Sequence, residues 1–402
     1  MDVRIVTREE YLAYLLLCNE CFLFAADPGY EDWHKNLEEH SKGYEEVLAG
    51  FDNQNKLVTG LRNIPYNMYF DGHLVKMGGI AAVVTAPEAR AGGAMSKIMA
   101  ESLRIMKERG QIFSILYPFS YAYYRKFGYE AAYRLNTAEI STEVFCKYPF
   151  PKDSVRLWKK GNGAADIKAV YDVFKKGRNY ILNRDDEKWE QLTKNDPYTT
   201  MRYIYIHYDS QNKPDAYLMM HPGERRPDHS IDLYIDELAW ATKSGLSAMF
   251  GFIGGLRPQF DKTIWDDVPM ELDLYSLFPE AHNISINSRP SAMTRIVDLP
   301  KVLEKLRPPN LAQGKVVIDV TDKFFPCNTG NYTLSWQNGE LSVAKTGQNP
   351  DMSTTIETMA QMVIGYLNPE EAGYRPDTTI YSQHEALMAL FPKKTLCLWE
   401  RF

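Results

Sequence analysis

The stretch "VVTAPEARAGGAMSKIMAESL", residues 83–103, decides how the rest of the chain is read. It begins as a short apolar strand, passes through a loop holding Arg90, Gly92 and Gly93, and continues as an amphipathic helix from about Gly93 to Arg109. Upstream lie the strand-like runs "EEVLAGFD", "LVTGLRNIPYNMYF" and "HLVKMGGIAAVVT", separated by a polar "NQNK" turn and an Asp71-Gly72 hairpin pair. Downstream, "QIFSILYP" reads as a buried strand. Strand, crossover helix and strand over residues 80–117 form one βαβ unit, which predicts a parallel pair at the end of an antiparallel meander. Before the meander, Val3 to Val6 alternates as a strand, and Thr7 with Glu10 three residues on makes a capping box for a helix through Leu23.

The loop has a chemical reading. The first amides of a helix lack intrahelical partners and carry the positive end of its dipole, so they form a cradle for a diphosphate. Glycines let the backbone come close, and Arg90 adds a cation. If the neighbouring strand splays away, the strand before the loop keeps backbone groups free for an extended, amide-bearing arm of the pantetheine kind. Glycine pairs also begin ordinary helices, so the loop by itself fits either use.

A chain of 402 residues, 45% hydrophobic and 24% charged, has the make-up of a soluble globular protein with about two or three domains. No apolar run approaches the roughly 18 residues of a membrane span, which predicts a cytoplasmic protein without membrane contact. Five scattered cysteines suit reduced thiols; the one C-x-x-C, Cys18 and Cys21, lies in a helical pattern with no second pair at zinc spacing. A net charge of −6 argues against nucleic acid as a partner and fits a cationic small molecule. The histidines show no metal-binding spacing and no P-loop is present, so no metal is expected.

Further along, "KYPFPKDSVR" (147–156) reads as a boundary. Beyond it come helices at "DIKAVYDVFKKGRNYI" and "DDEKWEQLTKN", strands at "RYIYIHY", "DAYLMMH" and "HSIDLYIDELAW", a helix near residues 242–256 and a strand at "KTIWD". This strand-helix-strand order repeats that of residues 80–117 and suggests a diverged duplication, but Lys243, Ser244 and Gly245 stand where an Arg and two glycines would be. The last block opens near Ser288 with a helix candidate, "TRIVDLPKVLEKL"; strands, an Asn338-Gly339 turn and two helices follow, and "TLCLWERF" reads as a closing apolar strand.

"VVTAPEARAGG", followed about thirty residues later by "YYRKFGYE", resembles the GCN5-related N-acetyltransferases (GNATs). The three-part order, ending in "VDLPKVLEKL…VVIDVTDKFFPCNTGNYTLSW" and a terminal Phe, resembles their enhanced intracellular survival (Eis) group. The resemblance implies an α+β protein: tandem acetyltransferase folds with mixed sheets flanked by helices at 1–146 and 147–287, the second degenerate, and a sterol-carrier-like α/β domain at 288–402. It implies acetyl-CoA as cosubstrate, the amine of a small cationic acceptor of aminoglycoside or polyamine type as second substrate, direct transfer in a ternary complex, and a homo-oligomer, a hexamer in that group.

Carried onto this chain, the resemblance gives the backbone of Val83 and Thr85 to pantetheine, Arg90, Gly92, Gly93, Ala94 and Met95 to the pyrophosphate, and Phe119 and Ser120 to the cofactor's other side. Tyr124 becomes the general acid for the leaving thiolate, with Tyr123 beside it as the alternative and simple packing as the other account of so aromatic a segment. The carboxylate of Phe402 becomes a base or an electrostatic anchor for the amine, unless the tail merely finishes a sheet. Asp27 and Trp33, with Glu31 and Asp32, and Glu400 are candidates for the acceptor pocket. Two departures stand out: the loop lacks the further Arg residues of many members, and Arg401 precedes the final Phe where well-studied members have an acid. The alternatives are acetylation of protein lysines, transfer of another acyl group, or a lipid or acyl-CoA sensor without turnover.

Overall fold

The alternating segments pair as their spacing predicts. In the computed structural model, which describes residues 1–26, 42–194, 196–309 and 313–402, β1 (Asp2–Ile5), β2 (Val47–Phe51), β3 (Leu57–Phe70) and β4 (His73–Thr85) form an antiparallel meander. Asp71 and Gly72 turn the last hairpin with φ of 48° and 84°, the left-handed pair a two-residue turn requires. Helix α1 (Arg8–Phe22) starts at the Thr7–Glu10 capping box. Helix α2 (Ala94–Glu108) carries the chain from β4 to a parallel β5 (Gln111–Leu116). It lays Ile98, Met99, Leu103 and Met106 into the core, and β5 is buried along its whole length. A short α3 (Tyr121–Arg125) and β6 (Glu130–Ala131) follow.

The second sheet is built from β7 (Arg134–Ser141), β8 (Val155–Leu157), β9 (Tyr203–Tyr208), β10 (Pro214–Pro222) and β11 (Asp232–Trp240), then α4 (Lys243–Gly255), β12 (Lys262–Trp265) and β13 (Ile284–Pro290). Strands β11 and β12 are parallel across α4, as β4 and β5 are across α2. The duplication read from the sequence is thus present in strand order. β14 (Met293–Ile296) then joins the first sheet, and β15 (Gln313–Thr321), β16 (Gly330–Gln337), β17 (Glu340–Thr346), β18 (Met352–Thr355) and β19 (Thr379–Ile380), with α5 (Ile356–Ile364), make the third. Among the described residues the sheet orders are β1-β2-β3-β4-β5-β14-β6, β13-β7-β12-β11-β10-β9-β8 and β17-β16-β15-β18-β19.

Pairing draws the boundaries differently from the sequence. One compact unit comprises Met1–Tyr133, Ser291–Lys394 and Glu400–Phe402; the other comprises Arg134–Pro290 and Thr395–Trp399. The limit expected after residue 146 falls after Tyr133 because β7 pairs with β12 and β13 of the second sheet. The limit expected after residue 287 falls after Pro290, where β13 ends. Residues 294–296, expected to open a helix, instead belong with Met293 to a strand between β5 and β6; the helix is confined to Leu299–Leu303. The tail "TLCLWERF" is not a strand but an extended segment with a single bridge from Leu396 to Asn179. Among the described residues, no helix is long and apolar enough to cross a membrane.

Candidate active site

Two strands that part leave a slot. The parallel pairing of β4 with β5 ends at Ile80–Leu116, so Val83 to Thr85 run on with β3 on one side and, among the described residues, no strand on the other. A bulge helps them diverge: the register of β3 against β4 shifts near Ala82, whose φ is 46° and whose carbonyl accepts the Tyr14 hydroxyl at 2.7 Å. A cavity of about 710 Å³ opens beside this edge.

The start of α2 forms one wall. Gly93 stands at the helix cap with φ of 72°, and no side chain caps the first amides. Among the described residues, a Cβ built at Gly93 meets nothing within 4 Å. Arg90 reaches back through Nε to the Thr85 carbonyl at 3.4 Å, and the Cys21 thiol donates to the same oxygen at 3.4 Å. Val83, Thr85, Arg90, Gly93, Ala94 and Met95 all line the cavity. Gly92 lies in the loop behind them, outside the lining.

The opposite wall comes from the segment after β5. Phe119, 74% exposed, and Tyr123 line the cavity. Ser120 does not; its Oγ accepts the Tyr123 amide at 3.3 Å and caps α3. Tyr124 is buried, packed edge-on against Phe119, Tyr123 and Tyr129 rather than lining the cavity. Burial, with Tyr129 and Tyr123 adding to it, pushes its phenol well above the ordinary value of 10. Among the described residues, its hydroxyl makes no hydrogen bond. Sequence reasoning missed Lys126 and Phe127 as lining residues, although both lie inside the quoted "YYRKFGYE".

The chain end meets the same strand from another side. The Phe402 ring packs against Tyr66 (centroids 5.1 Å apart) and Tyr117 (5.4 Å), over Gly79 of β4, one residue before the pairing with β5 ends. Tyr117 donates its hydroxyl to the Glu400 carbonyl at 2.6 Å, and Glu400 is buried. Asp27, Glu31, Asp32 and Trp33 lie outside the described residues.

The second unit shows how such a slot closes. At the start of α4, Thr242 Oγ1 accepts the Gly245 amide at 2.9 Å and donates to Asp215 Oδ2 at 2.6 Å. A Cβ at Gly245 would stand 2.8 Å from Asp215, which is buried and sits 2.5 Å from His207 Nδ1. A protein carboxylate therefore already occupies the helix end that a phosphate would need, and a threonine already caps it.

Comparison with known proteins finds an acetyltransferase domain in each half of this arrangement. Residues 2–132 and 181–296 each match an acetyltransferase (GNAT) domain, and residues 299–393 match a sterol carrier protein domain. An uncharacterized N-acetyltransferase of Streptomyces coelicolor is 25% identical over 315 residues, 73% of this chain and 72% of its own. A GCN5-related N-acetyltransferase from Anabaena variabilis superposes over the full length of both chains with a TM-score of 0.84 at 24% identity. Eis1 from Mycobacterium abscessus does so with a TM-score of 0.82 at 17% identity, sharing the whole fold. The fold implies acetyl-CoA as cosubstrate, and an open amide cradle beside a free strand edge suits that molecule's phosphates and amide arm. The chain belongs to the GCN5-related N-acetyltransferases, with two acetyltransferase domains followed by a sterol carrier protein domain in a fold it shares with Eis1.

Proposed function

We propose that the protein transfers the acetyl group of acetyl-CoA to a primary amine of a small cationic acceptor, in a ternary complex and without an acetyl-enzyme. The observation that carries this reading is the convergence on β4 of a free strand edge at Val83–Thr85, an uncapped start of α2 and the Phe402 ring at Gly79. Pantetheine amides pair with the strand edge, and the pyrophosphate rests on the amides after Gly93 with Arg90 beside it. The amine nitrogen attacks the thioester carbonyl, the carbon–sulfur bond breaks, and Tyr124 donates its proton to the departing thiolate. A raised phenol pKa keeps that proton in place at neutral pH, and a thiolate formed in the same apolar surroundings is a stronger base than in water. Where Phe402 carries a free carboxylate, the ammonium proton leaves toward it, and as a base or as an anion it favours a cationic acceptor. Glu400 and the chain's net charge of −6 support the same acceptor class. A lipid-binding reading calls for an apolar cavity; the groove of about 810 Å³ on β15–β17 sets Trp336 and Leu341 among polar residues such as Gln313, Lys315, Asn338 and Glu340.

The test is thiol release from acetyl-CoA with aminoglycosides, polyamines and lysine peptides in parallel. Release with the small polycations is the expected result, and Tyr124→Phe should lower kcat by about 100-fold while leaving the KM for acetyl-CoA within a few-fold. Full turnover in Tyr124→Phe, with loss in Tyr123→Phe, would move the acid to the neighbouring ring. Release with lysine peptides alone would replace the small acceptor by protein, and no release despite acetyl-CoA binding would leave a sensor.

A further inference from the structure

The acetyl-CoA cavity is short of positive charge on the side the sequence motif predicts. Its loop supplies one cation, Arg90, whose Nε is engaged by the Thr85 carbonyl. Coenzyme A brings a pyrophosphate and a ribose phosphate, more negative charge than one guanidinium and a helix start balance. Across the cavity stands a second cation, Lys126, and no acidic residue lines the cavity among the described residues.

The segment "YYRKFGYE" sorts its two adjacent cations. Arg125 turns toward the protein, with Nε at 3.1 and 3.0 Å and Nη2 at 2.7 Å from the buried Glu130 carboxylate. Lys126 follows at the C-terminal cap of α3, exposed, with its Nζ 5.7 Å from the centre of the Tyr123 ring that also lines the cavity. Among the described residues its ammonium has no ion-pair partner. A lysine held over an aromatic wall, next to an arginine that is already committed, is free to meet an anion in the cavity.

We propose that Lys126 is the second cation of the coenzyme's phosphate site, doing from the α3 side what further arginines of the glycine loop do in other members. The inference rests on the acetyl-CoA reading of the cavity, and the experiment separates the two. Binding of CoA and of 3′-dephospho-CoA is measured by calorimetry for wild type, Lys126→Ala, Lys126→Glu and Lys126→Arg, with acetyl-transfer kinetics alongside. Lys126→Ala should weaken CoA about tenfold, the weight of one charge-assisted hydrogen bond, and raise the KM for acetyl-CoA with kcat within twofold. Lys126→Glu should weaken it further, and Lys126→Arg should restore it. If Lys126→Ala leaves dephospho-CoA untouched, the ribose phosphate is the partner; if it weakens both alike, the pyrophosphate is. Unchanged CoA affinity in both Lys126→Ala and Lys126→Glu would overturn the role of Lys126 alone. Failure of the wild type to bind either nucleotide would overturn the cavity's assignment to acetyl-CoA instead.

Discussion

A single methyl group at position 79 would disturb the site more than most larger changes. A Cβ on Gly79 would lie 2.8 Å from the Tyr66 ring and 2.9 Å from the Phe402 ring, closer than carbon atoms approach. The strand backbone is pinned by β3 and β5 on either side, so the aromatic pair must give way. Gly79→Ala should therefore lower kcat by roughly 10- to 100-fold, the cost of a misplaced reacting group, with little change in the KM for acetyl-CoA, whose slot lies farther along β4. Steady-state kinetics check this, and a change in KM alone would place Phe402 outside the chemistry. At this scale the sequence was informative where a motif named a residue. Arg90, Gly93 and Phe119 line the cavity, whereas Ser120 only caps a helix and Tyr123, not Tyr124, faces the opening. Gly79 gave no such signal, because the ring it accommodates is 323 positions away in the chain.

The turn that carries Tyr124 is an element held from below. Gly128, at φ of 80°, lies so close over the Arg295 guanidinium that a Cβ there would stand 2.8 Å from it. Arg295 is fully buried on β14 and bonds through Nη2 to the equally buried Asp322 at 2.5 Å. Two residues on, Glu130 takes the Arg125 bonds, the Ala131 amide at 2.8 Å and Arg375 at 3.1 Å. Burial alone would push the Glu130 carboxyl up; its bonds to Arg125 and Ala131 and the charges of Arg125 and Arg375 outweigh that, and hold it below its ordinary value of 4.5. A depressed carboxyl contributes stability above the unfolded value and loses it as pH falls through the folded one. Glu130→Gln should accordingly be less stable than wild type at pH 7, by about 1–3 kcal/mol, with the gap closing below pH 4.5. Denaturant melts at the two pH values test this; a gap that does not change with pH would mean the carboxylate is not what Arg125 and Arg375 hold. The local pattern showed this element's residues but not its support. "YYRKFGYE" is contiguous, while Arg295, Asp322 and Arg375 reach it only through long-range pairing that no sequence period reports.

At the scale of the whole chain, strands pair across the limits of the three matched domains. The first sheet is completed by β14, which enters between β5 and β6 from beyond residue 290, and the second by β7, which leaves before residue 147. Local patterns foretold the βαβ units and the hairpin turns. They failed at "MTRI", where four residues run straight into a helical spacing and nothing nearby tells a strand that its partner lies some 180 residues back. The exchange has a physical consequence. Residues 1–133 alone would leave β5, buried along its whole length, as an edge with only one neighbour, so that fragment should aggregate rather than fold. Yet the Ser291 amide bonds the Tyr133 carbonyl at 2.9 Å, so the two ends of the first unit already meet. Joining residue 133 to residue 291 through a short glycine linker, with residues 134–290 removed, should yield a cooperatively melting protein that binds acetyl-CoA. It should nevertheless turn over poorly. Residues 395–399 belong to the removed unit's packing, where Trp399 stacks on Phe174 with centroids 4.8 Å apart and the Leu396 segment bridges Asn179. Without that seat, Glu400 to Phe402 lose the anchor that precedes them, and ordering them costs about 1–2 kcal/mol per residue. Calorimetric binding combined with thiol-release rates on the joined protein decides the matter: binding with at least tenfold lower kcat is expected, and full turnover would show that the chain end finds Gly79 unaided.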